Sequence, residues 1–350
     1  MKELVVISGK GGTGKTSVVA SFAALANNAV IVDCDVDAAD LHLVLQPRTV
    51  QREDFTAGSK ARIKPGHCTA CGKCEELCRF DAIYFDGPGN GRLRKGDSPI
   101  FAARHGSSPT SRQSDRENWD SPRWTATGRV TKTFRVDTIA CEGCGVCFDF
   151  CAENAIEFEP AVCGQWFISE TRCGPMVHAR LGIAAENSGK LVTQLRRAAQ
   201  QVAARQKREV ILCDGSPGIG CPVIASLTGA SLALFVVEPT ASGEHDFLRV
   251  AQLARQLGVP GIMAVNKSDL NDSATENLEA LARERGIAVV GRIPYDRAVT
   301  EAQIARKSVV EASDGAAARA VRALWGETRT RLDQSAPAAV GGLVELAPER

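Results

Sequence analysis

"ISGKGGTGKTS", residues 7–17, decides how the rest of this chain is read. Within it, Gly9 to Thr16 fits the spacing G-x-x-x-x-G-K-[ST]. An apolar run, Leu4 to Ile7, precedes the loop and a helix-like stretch, TSVVASFAALA, follows it, so the pattern predicts strand, loop and helix in that order. The glycines let backbone N–H groups point inward at phosphate oxygens, and the helix N-terminus adds its dipole. The expected nucleotide site is Gly9, Lys10, Gly11, Gly12, Thr13, Gly14, Lys15, Thr16 and Ser17. Lys15 is expected on the β- and γ-phosphates, and the Thr16 hydroxyl on Mg²⁺. One lysine suffices for that work, so Lys10 needs a separate explanation.

Two later apolar runs end in acids. AVIVDCDVDAADLHLVL (29–45) reads as a buried strand followed by Asp33, Asp35, Asp37 and Asp40. Val210 to Cys213 is another such strand, with Asp214 at its end, a Walker B arrangement that places a carboxylate on Mg²⁺ through water. Carboxylates at the carboxyl ends of parallel strands lie in the ligand crevice. The turn GSPGIG follows, where a Gly218 N–H is expected to approach the γ-phosphate. A further strand ends in Asn266-Lys267-Ser268-Asp269. An N-K-x-D run reads guanine through its aspartate, here Asp269, and taken alone favours GTP. Strands alternating with helical stretches predict an α/β fold with a mostly parallel sheet flanked by helices.

Thirteen cysteines are many for 350 residues. The N-terminal MKELVVISG has no signal-peptide layout and no apolar run is long enough to span a bilayer, so the expected location is the cytoplasm. A disulfide framework is not expected there. Eight cysteines instead form two matching runs, CTACGKCEELCRFDAI (68–83) and CEGCGVCFDFCAENAI (141–156). Each is C-x2-C-x2-C-x3-C, the spacing of bacterial ferredoxins with two [4Fe–4S] clusters, whereas zinc sites usually pair two C-x2-C units. The proline that usually follows the fourth cysteine is replaced by Arg79 and Ala152. Residues 87–130 between the runs are rich in Gly, Ser, Pro and Arg and read as a mobile loop; Trp119 and Trp124 mark a docking site or a tolerated insertion. The expected organisation is a discontinuous nucleotide-binding domain (1–58 and 161–332), an inserted α+β ferredoxin-like domain (59–160) and a flexible tail (333–350). A net charge of +1 gives no reason to expect nucleic acid or a membrane surface as partner.

The loop KGGTGKT resembles the deviant Walker A of the MinD/ParA/nitrogenase-iron-protein class, and most of residues 1–330 resembles MinD-superfamily ATPases with an inserted ferredoxin domain. That resemblance implies ATP rather than GTP, with Asn266 on the adenine, and a homodimer, or a heterodimer with a similar subunit, closed by ATP. Lys10 then acts in trans on the partner's nucleotide, and Asp35 positions the attacking water or the Mg²⁺ shell. It also implies cluster ligands in exchanged sets: Cys68, Cys71, Cys74 and Cys151 for one cluster, Cys141, Cys144, Cys147 and Cys78 for the other. In the nitrogenase iron protein, a cysteine at the offset of Cys221 from Asp214 ligates a cluster shared across the dimer. Here Cys173 is the nearby candidate for a second ligand, set against a structural role for both thiols. The expected function is ATP hydrolysis coupled to electron transfer toward a redox or iron–sulfur acceptor protein. An iron–sulfur assembly or carrier ATPase and a ParA/MinD-type positioning ATPase are the alternatives.

Overall fold

A computed structural model of the protein describes residues 1–86, 133–182 and 188–338. Its strands are β1 (Lys2–Ile7), β2 (Ala29–Asp33), β3 (Arg48–Ile63), β4 (Ile83–Asp86), β5 (Thr133–Val136), β6 (Ile156–Thr171), β7 (Gly174–Leu181), β8 (Val210–Asp214), β9 (Leu232–Val237), β10 (Gly261–Asn266) and β11 (Ala288–Ile293). Nine of them form one sheet in the order β11-β10-β9-β1-β8-β2-β7-β6-β3. The central strands β1, β2, β8 and β9 are buried along almost their whole length, which is why they read as unbroken apolar runs rather than as alternation. β1 pairs in parallel with both β8 and β9, and β2 with β8 and β7; β6 and β7 are an antiparallel hairpin.

Helices cover the sheet. The helix Lys15–Leu25 buries Val18, Val19 and Phe22, and its Phe22 ring lies 4.9 Å from that of Trp325 on the helix Ala316–Gln334. The register places Asp33 opposite Asp214, and Val6 of β1 opposite the same aspartate. The loop after β1 and the acids ending β2 and β8 therefore emerge side by side at the carboxyl edge, the position at which open α/β sheets hold ligands.

The chain divides into two compact units, Met1–Phe55 with Cys163–Arg350, and Thr56–Val162. Both boundaries fall inside long strands, β3 and β6. Among its described residues, the second unit pairs β4 with β5 and carries two short helices, Lys73–Leu77 and Val146–Asp149. Its core includes Ile83, Phe85, Phe134 and Ile156, with Phe85 and Phe134 edge to face at 5.3 Å. The cysteine repeat is visible in the backbone. Ala70 and Gly143 are left-handed (φ 55 and 65), as are Gly72 and Gly145 (φ 78 and 86) and Asp81 and Asn154 (φ 49 and 48). Only the second copy demands glycine at the first of these places, because a Cβ on Gly143 would stand 2.2 Å from the Ser59 carbonyl oxygen. The expected mobile loop at 87–130, with Trp119 and Trp124, and the tail from residue 339 onward lie outside the described residues.

Candidate functional site

The loop after β1 turns on glycines into the helix beginning at Lys15. Gly14 is left-handed (φ 85) and packs so closely under Asn266 that a Cβ would lie 2.3 Å from the amide Nδ2. Asn266 in turn donates to the Thr13 carbonyl (2.8 Å), clamping the loop to the end of β10. The Lys15 side chain is nearly solvent-free, with its Nζ 2.5 Å from Asp214 Oδ1 and 3.3 Å from Asp35 Oδ2. Burial opposes the Lys15 charge, but Asp214 and Asp35 outweigh it and hold the ammonium above the usual lysine range. Asp33, wholly buried, is pushed well above the ordinary carboxylate range by that burial and by Asp214. Asp33 Oδ2, Asp214 Oδ2 and Thr13 Oγ1 are buried without a hydrogen-bond partner. Orphaned carboxylate oxygens facing a glycine loop suit a divalent cation and phosphates. Thr16 and Ser17 line the adjoining cleft of about 410 Å³, together with Lys10, Asp35, Asn266 and Tyr295.

Lys10 turns away from Lys15. Its Nζ donates to Ser242 Oγ (3.0 Å) and Thr240 Oγ1 (3.4 Å) and lies 3.5 Å from Glu238 Oε2. Glu238 also pairs with Lys267. One carboxylate at the end of β9 thus joins the glycine loop to the N-K-x-D segment, a link that the loop's own spacing gave no signal for.

In the second unit, two small cavities are each lined by four cysteines. One, of about 30 Å³, is lined by Cys68, Cys71, Cys74 and Cys151; the other, of about 20 Å³, by Cys78, Cys141, Cys144 and Cys147. Either exceeds the roughly 10–15 Å³ that one water needs. Ile63, Phe134 and Ile156 close the first, and Ile83, Val136 and Phe158 the second. Ala70 N–H donates to Cys68 Sγ (3.4 Å), Ala82 N–H to Cys78 Sγ (3.4 Å) and Ala155 N–H to Cys151 Sγ (3.3 Å). Burial and the neighbouring thiols push Cys74 up to about 12 and Cys147 up to about 11. Among the described residues, no group of three or more His, Cys, Asp or Glu side chains is placed to hold a single metal ion. The thiols surround a space rather than converge on a point, and such a donor set fits a multinuclear thiolate-ligated centre better than a lone ion.

The profile of the CobQ/CobB/MinD/ParA nucleotide binding domain matches residues 4–309. The chain belongs to that family. Its sequence is 30% identical over 274 residues to uncharacterized protein MJ0578 of Methanocaldococcus jannaschii, covering 77% of this chain and 79% of that one. Identity to MJ0579 of the same organism is 21% over 323 residues, covering 90% and 94%. Among solved structures, the septum site-determining protein MinD of Pyrococcus horikoshii, complexed with Mg-ADP, is similar with a TM-score of 0.51 at 16% identity, over 93% of this chain and 95% of that one. The large parallel sheet and its glycine loop are therefore the nucleotide-binding fold of the MinD/ParA class.

Within this family member, Gly218 and Asp269 make contacts that the local motifs do not announce. The Gly218 N–H donates to the Ser8 carbonyl (3.1 Å), so it ties the turn after β8 back to the loop after β1. Asp269 accepts from the Tyr295 N–H (2.6 Å) and does not line the cleft, whereas Asn266 does. Cys221 is exposed beyond the carboxyl end of β8, its Cβ 3.0 Å from where a Cβ on Gly189 would lie. Cys173 immediately precedes β7 at the amino edge, where neighbouring Gly174 approaches the Ala29 carbonyl. The two thiols face opposite ends of the sheet and do not share a site within the chain. Cys34 and Cys213 are core residues, and the Cys213 Sγ–H donates to Glu3 (3.2 Å). Gln303 is a cleft residue that sequence reasoning passed over; its Nε2 donates to Ser17 Oγ (2.8 Å) from a helix far along the chain.

Proposed function

We propose that the protein is a Mg²⁺-dependent ATPase that carries two [4Fe–4S] clusters in its second unit and couples a nucleotide-closed dimer to electron transfer. The observation that supports the iron–sulfur half is the pair of four-thiol cavities, each drawing its fourth cysteine from the other copy of the repeat. Bound clusters would supply one-electron transfer. Cys68, Cys71, Cys74 and Cys151 would hold one, and Cys141, Cys144, Cys147 and Cys78 the other. Three backbone N–H···Sγ contacts stabilise the thiolate form of these ligands. Apolar side chains line both cavities, while Cys71 and Cys144 stand exposed at their rims.

The nucleotide half rests on the loop itself. Lys15 is placed to leave Asp214 and Asp35 for phosphate oxygens when Mg²⁺ arrives to balance the carboxylates. With nucleotide and Mg²⁺ bound, Asp35 would orient the attacking water and Asp214 would hold the cation's water shell. Lys10, at the exposed face of the loop, is positioned to reach a partner's triphosphate and neutralise charge developing on the transferred phosphoryl group.

Anaerobic purification of the full chain, with iron, acid-labile sulfide and ATP hydrolysis measured on one sample, tests the reading. About eight irons and eight sulfides per chain, with an EPR signal on reduction, is the expected result. A chain that hydrolyses ATP but takes up no sulfide removes the redox half. The likeness to a septum site-determining MinD favours a second reading, a positioning ATPase. It shares the nucleotide half and predicts ATP-dependent binding to a surface or filament with no dependence on the cysteines.

A further inference from the structure

The first unit contains a second, larger cleft of about 950 Å³, and nothing in the nucleotide reading uses it. Its size is within the roughly 300–1,000 Å³ typical of ligand sites. Its charged lining is lopsided: Arg52 from β3, Arg180 from β7 and Arg306 beyond the helix Arg297–Ile304 stand against the acid Asp37, with the imidazoles of His42 and His178 among them. Among the described residues, the three guanidinium groups make no hydrogen bond and no ion pair. In a chain with near-zero net charge, three unpaired arginines from three elements around one hollow are not the product of bulk composition.

His178 registers the field there. Its ring stacks on Phe167 at 5.0 Å and its Nε2 is 2.9 Å from Ser169 Oγ. Burial, and after it the neighbouring His42 and Arg180, holds its pKa down to about 4. Three exposed guanidinium groups without a protein partner, set around a partly apolar floor, offer their donors to an anion. Guanidinium forks are the donors best matched to phosphate and carboxylate oxygens.

The two clefts share a wall. Along the segment after β2, Asp35, Ala38 and Asp40 line the nucleotide cleft, while Val36, Asp37 and Ala39 line the second one. Gln303 lines both. A ligand that fixes this segment from one side therefore biases the position of Asp35 on the other.

We propose that the cleft is a second ligand site, for a small polyanion bearing phosphate or carboxylate groups, linked to the nucleotide site through residues 35–40 and Gln303. The test titrates tripolyphosphate, and separately citrate, into the full chain already saturated with Mg-ADP, by calorimetry. Saturable binding of either probe is expected, with ADP retained. Binding of tripolyphosphate alone assigns phosphoryl chemistry, and binding of both assigns recognition by charge. The exposed-residue variant Arg180→Gln/Arg306→Gln is expected to weaken the probe by about tenfold or more while leaving ADP affinity, measured without probe, unchanged. Linkage requires the bound probe to change ADP affinity in the parent and not in the variant. Absence of saturable binding, displacement of ADP by the probe, equal affinity in parent and variant, or an ADP affinity indifferent to the probe would overturn the proposal. None of these readouts depends on the cysteines, so the iron–sulfur reading stands or falls separately.

Discussion

Lys15 Nζ lies 2.5 Å from Asp214 Oδ1, an ion pair between the glycine loop and the end of the neighbouring strand, with both side chains almost wholly buried. Asp33 and Asp35 complete an acid cluster around that one ammonium. Removing it with Lys15→Ala leaves buried carboxylates facing one another. The nucleotide-free protein should lose about 3–5 kcal/mol at neutral pH, read from urea unfolding, along with all hydrolysis.

The same cluster sets a pH dependence. Asp33 in the folded state binds its proton more tightly than in the unfolded chain. The native state therefore holds more protons as pH rises above the ordinary value of 3.8, and stability is lost from there up through the raised pKa. Asp33→Asn should flatten that fall and stabilise the nucleotide-free protein at pH 7, read as a higher urea midpoint. A lower midpoint at pH 7 would contradict the repulsive character assigned to Asp33.

Two glycines of one loop should respond differently. Gly14→Ala meets both a positive φ and the Asn266 amide, whereas a Cβ on Gly11 meets nothing within 4 Å. Gly14→Ala should cost about 1–3 kcal/mol and abolish nucleotide binding. Gly11→Ala should leave stability within about 0.5 kcal/mol. Thermal unfolding with and without Mg-ADP separates them.

Lys10 holds Ser242 and Glu238 here rather than Lys15's acids. Lys10→Ala should keep ADP affinity while ATP-dependent dimerisation disappears and hydrolysis falls by about 10³-fold. Sedimentation with ATP and with ADP reads the first, and a steady-state assay the second. A variant that still dimerises and hydrolyses ATP at the parent rate excludes action in trans.

The cysteine cavities predict which losses are shared. Cys68→Ser and Cys151→Ser should deplete the same centre, and Cys78→Ser and Cys141→Ser the other, each removing about four irons. Cys221→Ala should leave the iron count unchanged. Iron analysis with EPR of each variant checks the grouping; loss of both centres in every case would show that the unit folds only when fully loaded.

The sheet was legible because its central strands are buried on both faces and so appear as apolar runs ending in Ile7, Asp33 and Asp214. The loop was legible because its glycines answer local needs, as Gly14 beneath Asn266 shows. The contacts that Gly218 and Asp269 make were not legible, for a common reason. Their partners, the Ser8 carbonyl and the Tyr295 N–H, come from distant segments that no local motif announces. The second cleft was invisible for the same reason, since Arg52, Arg180 and Arg306 are far apart in the chain and meet only in the fold.

Cys78 lines a cavity with Cys141, Cys144 and Cys147, and Cys151 lines the one with Cys68, Cys71 and Cys74. Neither copy of the duplicated motif owns a full set of sulfurs. A fragment ending between the copies would keep three of the first cavity's four thiols and leave Cys78 without its companions, so on the proposed reading this unit would not work when halved. On the proposed reading, loading it is a joint undertaking of two stretches synthesised well apart in time, and a ribosome that stalls between them would leave no half-charged product of any use.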